Sequence, residues 1–144
     1  MDSEPREIEL KFQVDPATAQ AVFEAVAGCD GSVKSLTSTY FDTPTGVLAK
    51  AGLALRVRHD GKSWVQTLKS AEAAGGAMGR GEWEAPVPGA KPVLALLRGT
   101  PAHKAMGRSR KLTPLFTVAV ERRMAVRKLD GLEVETALDQ GKVT

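Results

Sequence analysis

Cysteine is almost missing: Cys29 is the single one in 144 residues. It can close no internal disulfide, which excludes a disulfide-stapled secreted domain and makes the cytoplasm the expected compartment. Histidine is as scarce. His59 and His103 stand apart, with no metal-ligand spacing, and Cys29 has no neighbouring histidine, so a histidine metal centre and a histidine-activated thiol nucleophile both drop out. No apolar run approaches the ~20 residues that carry a helix across a bilayer. The opening Asp2-Ser3-Glu4 has nothing of a signal peptide. Neither sign of charge dominates. The net charge is +3 with Lys/Arg and Asp/Glu interleaved, which speaks against a nucleic-acid partner. The glycines at Gly75-Gly76 and Gly79-Arg80-Gly81 are followed by no GK[ST], which excludes a phosphate loop of that kind. Trp64 and Trp83, two of the few aromatics, read as packing residues.

What is present is charge at two-residue spacing. Glu7, Glu9 and Lys11 alternate with Ile8, Leu10 and Phe12. In a strand, alternate residues share a face, so one face is ionic and the other hydrocarbon. The pattern returns at Arg56 and Arg58, at Thr67 and Lys69, at Arg80, Glu82 and Glu84, and at Glu133, Glu135 and Asp139. Strand after strand with one charged face is the reading of a barrel with a polar, ion-lined lumen. A solvent-facing strand with cross-strand ion pairs is the simpler alternative for the first row. Edge gatekeeping is the simpler, less favoured alternative for Arg56 and Arg58, and Tyr40 reads equally as a strand-forming packing residue.

Along the chain, alternation predicts strands over residues 4–14, 33–43, 53–59, 62–69, 80–87, 114–127 and 132–138. Asp15-Pro16 opens a helix over 17–27 with Ala21, Val22, Ala25 and Val26 inward. One helical turn is expected over 47–51, a short helix over 91–98 and another turn near 102–106. Asp60-Gly61 and Asp130-Gly131 are hairpin turns. The strand over 114–127 is expected to bend near Glu121-Arg122-Arg123, and Asp139-Gln140-Gly141 reads as a third turn. A turn there predicts a returning strand, for which only Lys142, Val143 and Thr144 remain. The expectation is a single domain over 1–144, truncated at its C-terminal side, with an open sheet edge that a second copy could pair with.

Glu7-Ile8-Glu9-Leu10-Lys11 resembles the ExExK signature of the CYTH family, also called triphosphate tunnel metalloenzymes. Five further segments match in order: Tyr40-Phe41-Asp42-Thr43-Pro44, Leu55-Arg56-Val57-Arg58, Thr67-Leu68-Lys69, Arg80-Gly81-Glu82 and Glu135-Thr136-Ala137-Leu138-Asp139-Gln140-Gly141. The last, with Leu115-Phe116 and Arg122, looks most like the bacterial inorganic triphosphatases. The resemblance implies an α+β fold: an antiparallel β-barrel forming a triphosphate tunnel, incomplete here, with a few short helices outside. It implies Mg2+ or Mn2+ held by Glu7, Glu9, Glu82, Glu135 and Asp139. It implies a triphosphate held by Lys11, Arg56, Arg58, Lys69, Arg80 and Arg122, and water activation by Tyr40 and Lys69, with Lys11 beside them.

The chemistry suits those residue types. A triphosphate packs several negative charges together, and arginine meets phosphate oxygens in a bidentate fork while lysine acts as a point charge. A hard divalent cation takes carboxylate oxygens. The implied activity is metal-dependent hydrolysis of inorganic tripolyphosphate, releasing orthophosphate, with no nucleic acid and no membrane involved. Thiamine triphosphatase or class IV adenylyl cyclase activity remains open, as does a non-catalytic polyphosphate-binding module that keeps the basic rows alone.

Overall fold

The structure is a computed structural model in which residues 10–27, 32–71 and 81–144 are described. Six strands form one sheet: β1 Ser32–Asp42, β2 Leu53–His59, β3 Trp64–Ser70, β4 Glu82–Val87, β5 Thr113–Leu129 and β6 Leu132–Val143. Their order is β4-β3-β2-β1-β5-β6, every pair antiparallel, with β4 and β6 at the two edges. The sheet is not closed into a barrel. Three short helices, α1 Ala19–Ala27, α2 Val47–Lys50 and α3 Pro101–Met106, and a 3-10 turn at Leu94–Leu97 complete it.

The hydrocarbon face of the central strands makes the core. Leu53, Leu55 and Val57 of β2 alternate inward and meet Phe41 of β1 and Leu68 of β3. Leu48 of α2, Leu97, Ala102 and Met106 cover them from outside. Leu55 is fully buried, and removing such a side chain costs ~2–5 kcal/mol. Gln66, buried on the same face, fastens the covering segment: its Oε1 accepts from Val93 N at 2.7 Å and its Nε2 donates to Val93 O at 3.3 Å.

Tyr40 and Phe41 belong to β1, and Asp42-Thr43-Pro44 turns the chain into α2. The buried Asp42 carboxylate accepts from the backbone N–H groups of Thr43 (2.7 Å), Leu48 (2.9 Å) and Ala49 (3.1 Å). Thr43 Oγ1 accepts from Val47 N at 3.1 Å. Together they satisfy the open donors at the start of α2.

Five local expectations are corrected. Residues 10–14 are not in a strand, and Leu10 and Phe12 are 74% and 81% exposed, because an apolar row is buried only when its strand pairs and packs. In α1 the buried side chains are Ala19 and Phe23, one turn apart, while Ala21, Val22 and Ala25 face outward. Phe23 is the residue that meets Ala125 of β5 and Leu138 of β6, and the largest apolar group sets the helix's rotation. The 60–63 connection is four residues, not two. Asp60 Oδ1 organises it, accepting from Lys62 N (3.0 Å) and Ser63 N (2.9 Å). The irregularity in β5 falls at Leu115, not at 121–123: the register with β1 jumps from Tyr40↔Phe116 to Phe41↔Pro114 beside a proline that has no N–H for the ladder. Lastly, Asp139-Gln140-Gly141 is strand, paired with Arg122, Glu121 and Val120. Gly141 permits this, because a Cβ there would run into Ala119 O on β5.

Candidate functional site

Period two places the basic residues together. Arg56 of β2 stands opposite Tyr40 of β1 and Thr67 of β3, and Arg58 stands opposite Ser38 and Val65. Across β1, Lys34 is paired with Arg122 of β5, which is paired in turn with Asp139 of β6. All of these belong to the sheet face opposite the core. Lys34, Arg56, Arg58 and Arg122 line a cleft of about 250 Å3 with Leu36, Asp60, Ser63, Val65, Thr67, Glu84 and Met124.

The cleft is crowded with cations. Burial first, then the charges of Arg56 and Arg122, pull the Arg58 guanidinium below its usual range, where it still remains protonated. Arg58 Nε donates to Ser38 Oγ at 2.8 Å. Arg56 Nε is buried and has no hydrogen-bond partner among the described residues. Buried donors in folded proteins are nearly always paired, so an orphaned guanidinium N–H beside two other arginines marks a place for an anion. Arg122 holds Asp139 in a fork, Nε to Oδ1 at 2.7 Å and Nη2 to Oδ2 at 2.8 Å. That hydrogen bonding, helped by the charges of Arg122, Arg58 and Lys11, keeps the Asp139 carboxyl below the usual carboxylate range. Thr67 Oγ1 donates to Glu84 Oε2 at 3.1 Å on the far wall.

The residues expected at the site divide three ways. Arg56, Arg58 and Arg122 converge, with Asp139 bonded to Arg122 and Lys11 close enough for Asp139 to feel its charge. Tyr40 is half-buried at the same level, its ring stacked on Phe116 at 4.8 Å between centroids. Lys69 and Glu82 face each other across β3 and β4, both exposed, and neither lines the cleft. Glu135 is exposed on β6, four residues from Asp139, about 13 Å along the strand. Glu7, Glu9 and Arg80 lie outside the described residues. Among the described residues no three of His, Cys, Asp or Glu gather as metal ligands. β4 and β6, which carry Glu82 and Asp139, are opposite edges of the sheet. The described donors alone therefore do not fit a metal ion.

Lys34 and Asp60 line the cleft without having been expected there, and Glu84, read in the charged row, lines it without having been given a role. Lys34 was legible by spacing alone, since it shares a face with Leu36, Ser38 and Tyr40. Glu84 continues the row of Glu82. Asp60 carried only a turn signal.

A family model described as the CYTH domain matches residues 5–144. The chain belongs to the CYTH family. Among curated CYTH-related proteins, it is 29% identical over 143 residues to the inorganic triphosphatase of Haemophilus influenzae. That match covers 96% of this chain and 40% of the relative, so this CYTH chain spans less than half of that protein's length. Two solved structures share the fold. One is a candidate adenylyl cyclase from Hippeastrum described as having a dominant triphosphatase activity, at TM-score 0.55 and 21% identity, covering 90% of this chain and 69% of that one. The other is a candidate adenylate cyclase from Bacillus halodurans, at TM-score 0.59 and 18% identity, covering 90% and 74%. No helix among the described residues of the CYTH sheet or its cover is long and apolar enough to cross a membrane.

Proposed function

We propose that this chain binds inorganic tripolyphosphate in the arginine cleft and hydrolyses its terminal anhydride, with Mg2+ or Mn2+ as cofactor. The observation that carries the reading is the buried Arg56 Nε, without a partner among the described residues and set among crowded guanidinium groups. Such a cluster is stabilised by a ligand of high negative charge density. The inorganic triphosphatase relative supports the same substrate class.

Arg56, Arg58 and Arg122 neutralise the bridging and terminal oxygens, and Lys11, Arg80 and Lys69, which does not itself line the cleft, are assigned to the anion site with them. Water attacks the terminal phosphorus, the bridging P–O bond breaks, and orthophosphate and pyrophosphate leave. Phosphoryl transfer of this kind rests on positioning and charge neutralisation. Tyr40 and Lys69 are the pair assigned to orient the water and take its proton. Glu82, Glu135 and Asp139 do not gather into a metal site by themselves, so a divalent ion would be held by Glu7 and Glu9, drawing on Glu82, Glu135 or Asp139, and would supply charge neutralisation. The lone cysteine supports a cytoplasmic setting, and pairing of two copies along β6 is part of the same proposal. A constant monomer mass by light scattering across concentration would remove that last element.

The test is orthophosphate release from tripolyphosphate, with and without divalent metal. Metal-dependent release, abolished in Glu9→Gln, is expected. Binding without release would make the chain a polyphosphate-binding module. Pyrophosphate released from ATP without orthophosphate would mark a cyclase instead.

A further inference from the structure

Among the described residues Asp60 is the carboxylate at the hairpin end of the cleft, and nothing in the proposed reaction uses it. Its position is fixed. Oδ1 accepts from Lys62 N at 3.0 Å, Ser63 N at 2.9 Å and Ser63 Oγ at 3.4 Å. Oδ2 is left to face Lys34 Nζ at 3.8 Å. The hydrogen bonds from Ser63 and Lys62 hold its pKa down to about 2, so the carboxylate is charged around neutral pH. Lys34 is itself a wall of the cleft, level with Arg122 on the neighbouring strand. The arginines begin at Arg56, four residues of extended chain before Asp60, about 13 Å away. An anion lying along β2 thus passes Arg56 and Arg58 and then meets a fixed negative charge.

We infer that Asp60, braced by the 60–63 turn and partly offset by Lys34, sets the length of the phosphate chain this cleft accepts, by repelling a unit beyond the third. The inference rests on the triphosphatase reading and deepens it. A fixed like charge at the end of a site is how binding surfaces reject the wrong partner: the attraction along Arg56 and Arg58 is common to every chain length, and only the longer chain meets the repulsion. Lys34 has the opposite role, lowering the barrier for a longer chain. Asp60 is a specificity residue that does not need to touch the reacting phosphorus.

The test compares tripolyphosphate with linear tetrapolyphosphate, by calorimetric binding and by turnover, in the full chain and two variants. Asp60→Asn keeps the Oδ1 acceptor and so keeps the turn, which an unchanged melting temperature verifies. It is expected to narrow the preference for the shorter chain about five- to tenfold, the scale of one partly screened charge at close range. Lys34→Gln is expected to move the same ratio the other way. A purely structural role for Asp60 would change both substrates alike, so an unchanged ratio in Asp60→Asn overturns the inference. Discrimination by binding with no orthophosphate release would instead sink the triphosphatase reading and leave the length filter standing.

Discussion

Asp139 and Arg122 were each expected to hold something of opposite charge, a metal and a phosphate, yet in this structure they hold each other in a two-bond fork. The pair has a consequence in acid. Asp139 titrates below its ordinary value of 3.8 when folded, first because Arg122 hydrogen-bonds it. A depressed carboxylate contributes stability that is fully present above the ordinary value and is lost as pH falls through the lower folded one. Acid melts of the wild type should therefore steepen below the ordinary carboxylate range, and Asp139→Asn should remove part of that slope. The effect is small, since the carboxylate is partly exposed and screened. An identical acid slope in both proteins would show that the fork adds nothing to folding. Arg56 makes the sharper case. Its Nε is buried without a partner among the described residues, so Arg56→Gln should leave the melting temperature nearly unchanged while weakening tripolyphosphate binding about 10- to 100-fold, the worth of one or two hydrogen bonds to a charged group. Calorimetry on the folded variant checks it, and equal affinity would remove Arg56 from the anion site.

At the level of elements, what the sequence showed depended on how local the cause was. β2 and β3 were readable because Leu53, Leu55, Val57 and Leu68 alternate cleanly with charge. The hairpin at Asp130-Gly131 followed from its Asp-Gly pair, and Asp130 and Gly131 do take positive φ, 49° and 79°. The arginine rows were legible for the same reason, since period two fixes which residues share a face. The errors came where tertiary pairing outweighed local preference. Asp-Gln-Gly is a good turn in isolation, but Asp139 has Arg122 opposite and Gly141 lets β5 approach. The face α1 buries was set by Phe23 finding Ala125 and Leu138, distant in sequence. That Asp139 would be taken by Arg122 could not be read from either strand alone. Gly141 offers a direct check. Gly141→Val puts a branched side chain against Ala119 O and Val120, and overpacking of that kind costs about 1–3 kcal/mol. Chemical denaturation should show that loss, with β6 amides exchanging fastest. Asp42→Ala should cost about 2–3 kcal/mol by stranding the N–H donors of Leu48 and Ala49, with tripolyphosphate affinity retained.

Across the whole molecule, the two faces of the sheet should answer differently to salt. One face carries the core of Leu48, Leu55, Val57 and Leu68, whose burial is hydrophobic and is not weakened by ions. The other gathers Lys34, Arg56, Arg58 and Arg122 around an open cleft. Screening shortens the reach of a charge from ~10 Å at 0.1 M to ~3 Å at 1 M ionic strength. Across a cleft of this size the more distant cations then cease to act on one anion together, and only direct contacts survive. Tripolyphosphate binding should therefore weaken about tenfold or more between those salt concentrations, while the melting temperature of the free protein holds or rises. The comparison is made by calorimetric titration and differential scanning in matched buffers, with an inert salt that does not compete for divalent metal. If binding and melting fell together, the cations would be holding the sheet together rather than waiting for a ligand, and the division of labour between the two faces would be wrong.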